Sequence, residues 1–133
     1  ALGSLHAWVA HGSDGLDEIT VTGATRIAEW KEGVFSVFDI RPEDAGLQTW
    51  PLDDLRGGAP EENAAKLRAL LDGEAGAYRD AVLMNAGGAL VAAGRAPDLA
   101  DGARQAAASI DDGRARNALD RLAAATNFEA PSG

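Results

Sequence analysis

Thr25-Arg26-Ile27-Ala28-Glu29-Trp30-Lys31-Glu32-Gly33-Val34-Phe35-Ser36-Val37-Phe38-Asp39-Ile40 is the stretch on which the fold turns. Two runs rich in β-branched and aromatic residues, Thr25 to Trp30 and Val34 to Ile40, flank Lys31-Glu32-Gly33. A three-residue connection with glycine last predicts a β-hairpin. Pro42 ends the second strand, and Glu43 to Gly58 reads as irregular, with Trp50 before Pro51 biased towards extended backbone. Upstream, His6-Ala7-Trp8-Val9-Ala10 is a short apolar run ending at Gly12, which predicts a strand buried on both faces. A loop over Ser13 to Glu18 leaves this strand, with Gly15 free to take positive φ.

Beyond the hairpin the period changes from two to 3.6. Pro60 stands at a first helical position, Glu61 and Glu62 complement the helix dipole, and Ala64, Leu67, Leu70 and Leu71 share a face up to the stop at Gly73. A second helix, from about Tyr78 or Asp80 to Ala93, is apolar through Val82-Leu83-Met84-Asn85-Ala86 and ends at Gly94, so it belongs at the centre of the core. Asp98 caps a third helix whose inward residues are Leu99, Ala103, Ala106, Ala107 and Ile110, and Asp111-Asp112-Gly113 breaks it. A fourth is expected from Arg114 to about Ala125, with Ala118, Leu119 and Leu122 inward and Asn127 to Gly133 as a fraying tail. The fold class is therefore α/β, short strands and a β-hairpin followed by about four helices.

With 133 residues the chain fits one domain. The absence of cysteine excludes disulfides, thiolate catalysis and cysteine-ligated metal. A net charge of −9 opposes phosphate neutralisation and argues against a nucleic-acid partner. No apolar run reaches the roughly 20 residues that span a bilayer, so no membrane association is expected and a cytoplasmic location is the default. The chain starts at Ala1 without an initiator methionine, which reads as a truncated or processed start.

One segment has chemical promise. His11-Gly12-Ser13-Asp14-Gly15-Leu16-Asp17-Glu18 gathers three carboxylates and a histidine directly after a strand, where open α/β sheets bind ligands. Magnesium takes oxygen ligands, keeps several waters and is commonly held by one or two carboxylates with substrate phosphates, a pair that Asp17 and Glu18 could supply. On spacing alone, however, Asp14-Gly15 is a turn and Asp17-Glu18 a solvated cap. His11 reads as a hydrogen-bonded structural residue, and Asn85 as a buried amide satisfied by a neighbouring group. Gly57-Gly58 and Gly87-Gly88 fit no phosphate-loop pattern and read as a turn or close helix packing. Trp8, Trp30 and Trp50 read as core or packing residues.

Taken in order, Leu2-Gly3, His11-Gly12, Asp14-Gly15-Leu16-Asp17-Glu18, Pro42-Glu43-Asp44-Ala45-Gly46-Leu47 and Pro60-Glu61-Glu62-Asn63-Ala64 resemble the C-terminal part of anthranilate phosphoribosyltransferases. Leu83-Met84-Asn85-Ala86-Gly87, Asp101-Gly102 and Ile110-Asp111-Asp112-Gly113-Arg114-Ala115 are similar to that family's last helices. The resemblance covers essentially the whole chain. It implies residues 1–133 as the C-terminal portion of the large α/β domain of the nucleoside phosphorylase/phosphoribosyltransferase fold. It also implies that the chain is entered partway through a longer enzyme.

The activity implied is transfer of the phosphoribosyl group of phosphoribosyl pyrophosphate (PRPP) to anthranilate, releasing pyrophosphate, in tryptophan biosynthesis. The family's Asp-Glu pair binds magnesium, a role that the resemblance carries onto Asp17 and Glu18 as ligands and not as acid–base catalysts. The family's glycine-rich phosphate loop, its Lys-His-Gly-Asn segment and its anthranilate-contacting arginine have no counterpart here, so no catalytic residue is assigned and the chain by itself is expected to be inactive. The helical domain through which the family forms homodimers is also without a counterpart. A pyrimidine nucleoside phosphorylase, or a non-catalytic nucleic-acid-binding relative on the same scaffold, is the alternative. The acidic loop speaks against the first and the net charge against the second.

Overall fold

A computed structural model describes residues 6–12, 18–55, 60–114 and 117. Three strands, β1 (His6–Gly12), β2 (Thr25–Lys31) and β3 (Val34–Ile40), form one antiparallel sheet in the order β1-β2-β3. The hairpin joining β2 to β3 is tighter than the sequence suggests, because Lys31 pairs with Val34 and leaves only Glu32 and Gly33 in the turn. Both turn residues have positive φ, 52° and 81°. That is the signature of the turn whose twist matches right-twisted strands, and it explains the glycine. The Glu43 to Gly58 stretch expected to be irregular contains two 3-10 turns, Pro42–Ala45 and Leu52–Leu55. The Arg41 N–H donates to Asp44 Oδ2 at 2.8 Å and closes the first of them.

The helices are α1 (Pro60–Leu71), α2 (Ala77–Ala92) and α3 (Leu99–Asp111). Their ends fall within a few residues of those expected, α2 starting at Ala77 and not at Tyr78 or Asp80. Past α2, Gly94 adopts φ 74° and the Arg95 N–H reaches back to the Leu90 carbonyl at 2.8 Å. Asp98 accepts the Asp101 N–H at 2.8 Å, satisfying one of the four N–H groups that a helix start leaves unpaired. The expected fourth helix and tail lie outside the described residues except at Arg114 and Asn117, both helical, with the Asn117 N–H donating to the Gly113 carbonyl at 3.0 Å.

The sheet lays one face on α2 and α3. Ile27, Ile40, Ile19 and Val21 meet Leu83, Met84, Leu99, Ala103, Ala106 and Ile110 there. Burying an aliphatic side chain of that size contributes roughly 1.5–3 kcal/mol. Crossing α2 against α3 needs glycine on both: a Cβ on Gly87 would come within 2.9 Å of the Ala103 nitrogen, and one on Gly102 within 2.5 Å of the Gly87 carbonyl oxygen. Of the Gly87-Gly88 pair, Gly87 is the close helix packing expected, whereas Gly88 faces the Ile19 and Trp8 side chains.

Three expectations are corrected. β1 is covered on one face, not two. Trp8, Ala10 and Gly12 turn inward while Val9 is 68% exposed, since the described helices pack on one side of the sheet only. Trp30 belongs to the same outer face, together with Phe35 and Val37, and is not a core residue. Of the four residues expected inward on α1, Ala64 is exposed, Leu67 and Leu71 are half-buried and Leu70 is buried, because the helix meets α2 and α3 over a small part of its length.

Candidate metal and ligand site

The connection from β1 to β2 runs over residues 13–24, and its described part begins at Glu18. Glu18 is exposed, and the three residues after it are buried. Each of the three is tied to a different part of the chain. Asn85 of α2 brackets Ile19, with Oδ1 accepting the Ile19 N–H at 3.0 Å and Nδ2 donating to the Ile19 carbonyl at 2.7 Å. The Thr20 N–H donates to Thr25 Oγ1 at 3.0 Å, at the start of β2. The Val21 carbonyl accepts the Trp50 N–H at 2.8 Å, and the Trp50 indole N–H donates to Asp80 Oδ2 on α2 at 2.8 Å. An exposed carboxylate thus stands at the end of a backbone segment held from three sides.

Glu18 borders a cleft of about 470 Å³. Its walls are mostly apolar, from Ile19, Val21, Leu52, Leu55 and Val82, with Tyr78 and Asn85 adding polar edges. An apolar lining and a few convergent polar groups are the usual features of a ligand pocket. Of the predicted magnesium ligands, Asp17 lies outside the described residues, as do Asp14, Gly15 and the Gly57-Gly58 pair. His11 is exposed on the outer face of the sheet, in register with Arg26, and does not line the cleft. Asn85 is the satisfied amide expected from its setting, with Nδ2 also donating to the Ala81 carbonyl at 2.9 Å.

Among the described residues no group of three or more His, Cys, Asp or Glu side chains is placed to hold a metal. Magnesium does not require one, since it fills most of its octahedral shell with water and substrate phosphate oxygens. An exposed Glu18 carboxylate bordering the cleft, next to the bonded Ile19, is an oxygen donor of the kind that shell uses.

A second polar cluster escaped the sequence reading. Glu29 on β2 accepts the Trp8 indole N–H at 2.7 Å, and His6 Nε2 lies 2.8 Å from the same oxygen. These bonds, the Trp8 one first and His6 second, hold the Glu29 carboxyl below its ordinary value. The register explains the meeting, because Trp8 stands opposite Glu29 in the β1-β2 pairing, but nothing in the sequence announces which residues of two strands will be opposed. Among the described residues no helix is long and apolar enough to cross a membrane.

A family model described as the glycosyl transferase family, a/b domain, matches residues 1–116. The chain belongs to this glycosyl transferase family. Anthranilate phosphoribosyltransferase of Parvibaculum lavamentivorans is 56% identical to it over 126 residues, which is 95% of this chain and 37% of that protein. The enzyme of the same name from Azorhizobium caulinodans is 56% identical over 131 residues, 98% of this chain and 38% of its own length. The chain therefore spans a little over a third of the glycosyltransferase relatives it matches. Among solved structures, anthranilate phosphoribosyltransferase from Thermus thermophilus superposes with a TM-score of 0.79 at 39% identity, over 90% of this chain and 35% of that one. The Saccharomyces cerevisiae enzyme in complex with PRPP and Mg superposes with a TM-score of 0.74 at 27% identity, over 86% of this chain and 33% of that one.

Proposed function

We propose that this chain is the C-terminal portion of an anthranilate phosphoribosyltransferase, acting in tryptophan biosynthesis as part of a cytoplasmic homodimer. Supporting this most directly is identity above 50% along nearly its whole length to enzymes of that name. PRPP and anthranilate are then the substrates, and Asp17 and Glu18 are the residues that hold magnesium. Magnesium bound there supplies positive charge against the pyrophosphate leaving group, where charge builds in the transition state. The chain's own part is to present oxygen ligands. Glu18 leads into Ile19, Thr20 and Val21, whose backbone bonds to Asn85, Thr25 and Trp50 keep the carboxylate at the mouth of the cleft. The apolar walls lower the local dielectric, which strengthens the attraction between a magnesium ion held at the rim and an anionic ligand.

The test is the double substitution Asp17→Ala with Glu18→Ala in the complete transferase. Turnover is expected to fall, and the magnesium concentration for half-maximal rate to rise by roughly tenfold or more, the scale on which changes around metal ligands act. Thermal stability is expected to change little, because Glu18 is exposed. Kinetics identical to the parent across a magnesium titration would remove the metal assignment.

A further inference from the structure

An asparagine in the middle of an apolar helix is unfavourable unless every polar atom of its amide finds a partner. Asn85 meets that condition in a particular way. One Nδ2 bond closes on its own helix, at the Ala81 carbonyl, and the remaining two bonds take both backbone groups of a single residue 66 positions earlier, Ile19. A side-chain amide can donate and accept at once, so it pairs with a backbone unit as a neighbouring strand would. One turn further along the same face of α2 is Gly88, where a Cβ would stand 2.5 Å from Ile19 Cδ1. Helix α2 thus carries an amide for the Ile19 backbone and a notch for its side chain. Because the Ile19 N–H belongs to the Glu18–Ile19 peptide unit, the grip extends to the backbone that carries the Glu18 carboxylate.

We propose that Asn85 is a positioning residue for Glu18: by clamping the Glu18–Ile19 peptide against α2, with Gly88 seating the Ile19 side chain, it holds the carboxylate in the attitude in which it takes a divalent cation. The ordering that a loose loop would undergo at each binding event is then already complete in the folded protein. The inference rests on the reading of Glu18 as a magnesium ligand.

The experiment measures Mn2+ binding to the complete enzyme in the presence of inorganic pyrophosphate, from the electron paramagnetic resonance signal of free Mn2+, alongside amide hydrogen exchange at Ile19. Asn85→Ala is expected to weaken Mn2+ binding by about tenfold and to speed exchange at the Ile19 amide. Asn85→Asp keeps an acceptor for the Ile19 N–H but loses the donor to its carbonyl, and serves if the alanine variant does not fold. Its added negative charge by itself would tighten Mn2+ binding, so weakening there reports the lost grip. Folded Asn85 variants with unchanged Mn2+ affinity, beside a Glu18→Ala variant that binds weakly, would overturn the positioning role while leaving the magnesium reading standing. Unchanged affinity in Glu18→Ala itself overturns both.

Discussion

Replacing Gly102 by alanine places a Cβ 2.5 Å from the Gly87 carbonyl oxygen, 3.0 Å from its Cα and 3.1 Å from its carbonyl carbon. All three are backbone atoms of α2, so the strain is relieved only by moving the helices apart and loosening the contacts around Met84, Ala103 and Ala106. Overpacking of this kind costs about 1–3 kcal/mol, and contact with three backbone atoms argues for the upper end. Alanine in a helix interior returns about 1 kcal/mol relative to glycine. The net expectation is a loss of about 2 kcal/mol, which lowers the urea midpoint by about 1 M at a slope of roughly 2 kcal/mol per M. Gly88→Ala makes the comparison sharp, because its helix-propensity gain is the same and its tight contact is Ile19 Cδ1, the end of a side chain that can rotate. That variant is expected to stay within about 1 kcal/mol of the parent. Equilibrium urea denaturation followed by tryptophan fluorescence ranks the two, with the slope checked for constancy. Equal midpoints for Gly102→Ala and Gly88→Ala would refute the claim that backbone contact across α2 and α3 demands glycine.

Glu29→Gln removes a carboxylate whose folded-state pKa is depressed, first by the Trp8 bond and then by His6. Such a group stabilises the fold above its unfolded value, and the contribution disappears as pH falls through the lower folded value. The variant is therefore expected to be less stable than the parent near pH 7, with the gap closing as pH falls below the ordinary 4.5, in denaturation series run at successive pH values. Asp98→Ala leaves the Asp101 N–H without its 2.8 Å partner and is expected to destabilise α3 by about 1 kcal/mol, read as a lower thermal midpoint by circular dichroism.

Much of this protein is legible locally. The hairpin, the stop after α2 and the Asp98 cap depend on residues within a few positions of one another, and the structure contains all three. The error of one residue at Lys31 arose because a three-residue count with terminal glycine and a two-residue turn share the same letters, and only the Lys31–Val34 pairing separates them. The ordered landmarks from Leu2-Gly3 to Arg114-Ala115 carried the family, which the match over residues 1–116 bears out. Of the candidate site, the sequence marked Glu18 as an acidic residue after a strand and Asn85 as a polar residue that must find partners. It held no sign that the two are joined through Ile19.

What the chain determined by itself is the set of elements, their caps and turns, and the family to which they belong, because these follow from short-range hydrogen bonding, backbone conformational limits and side-chain periodicity. Tertiary structure alone decided which face of β1 is covered, that Trp30 stands outside the core, and that Asn85 meets a residue 66 positions away. Those outcomes depend on how helices and sheet pack in three dimensions. An apolar strand reads alike whether it is covered once or twice, and an amide in a helix records its need for partners but not their address.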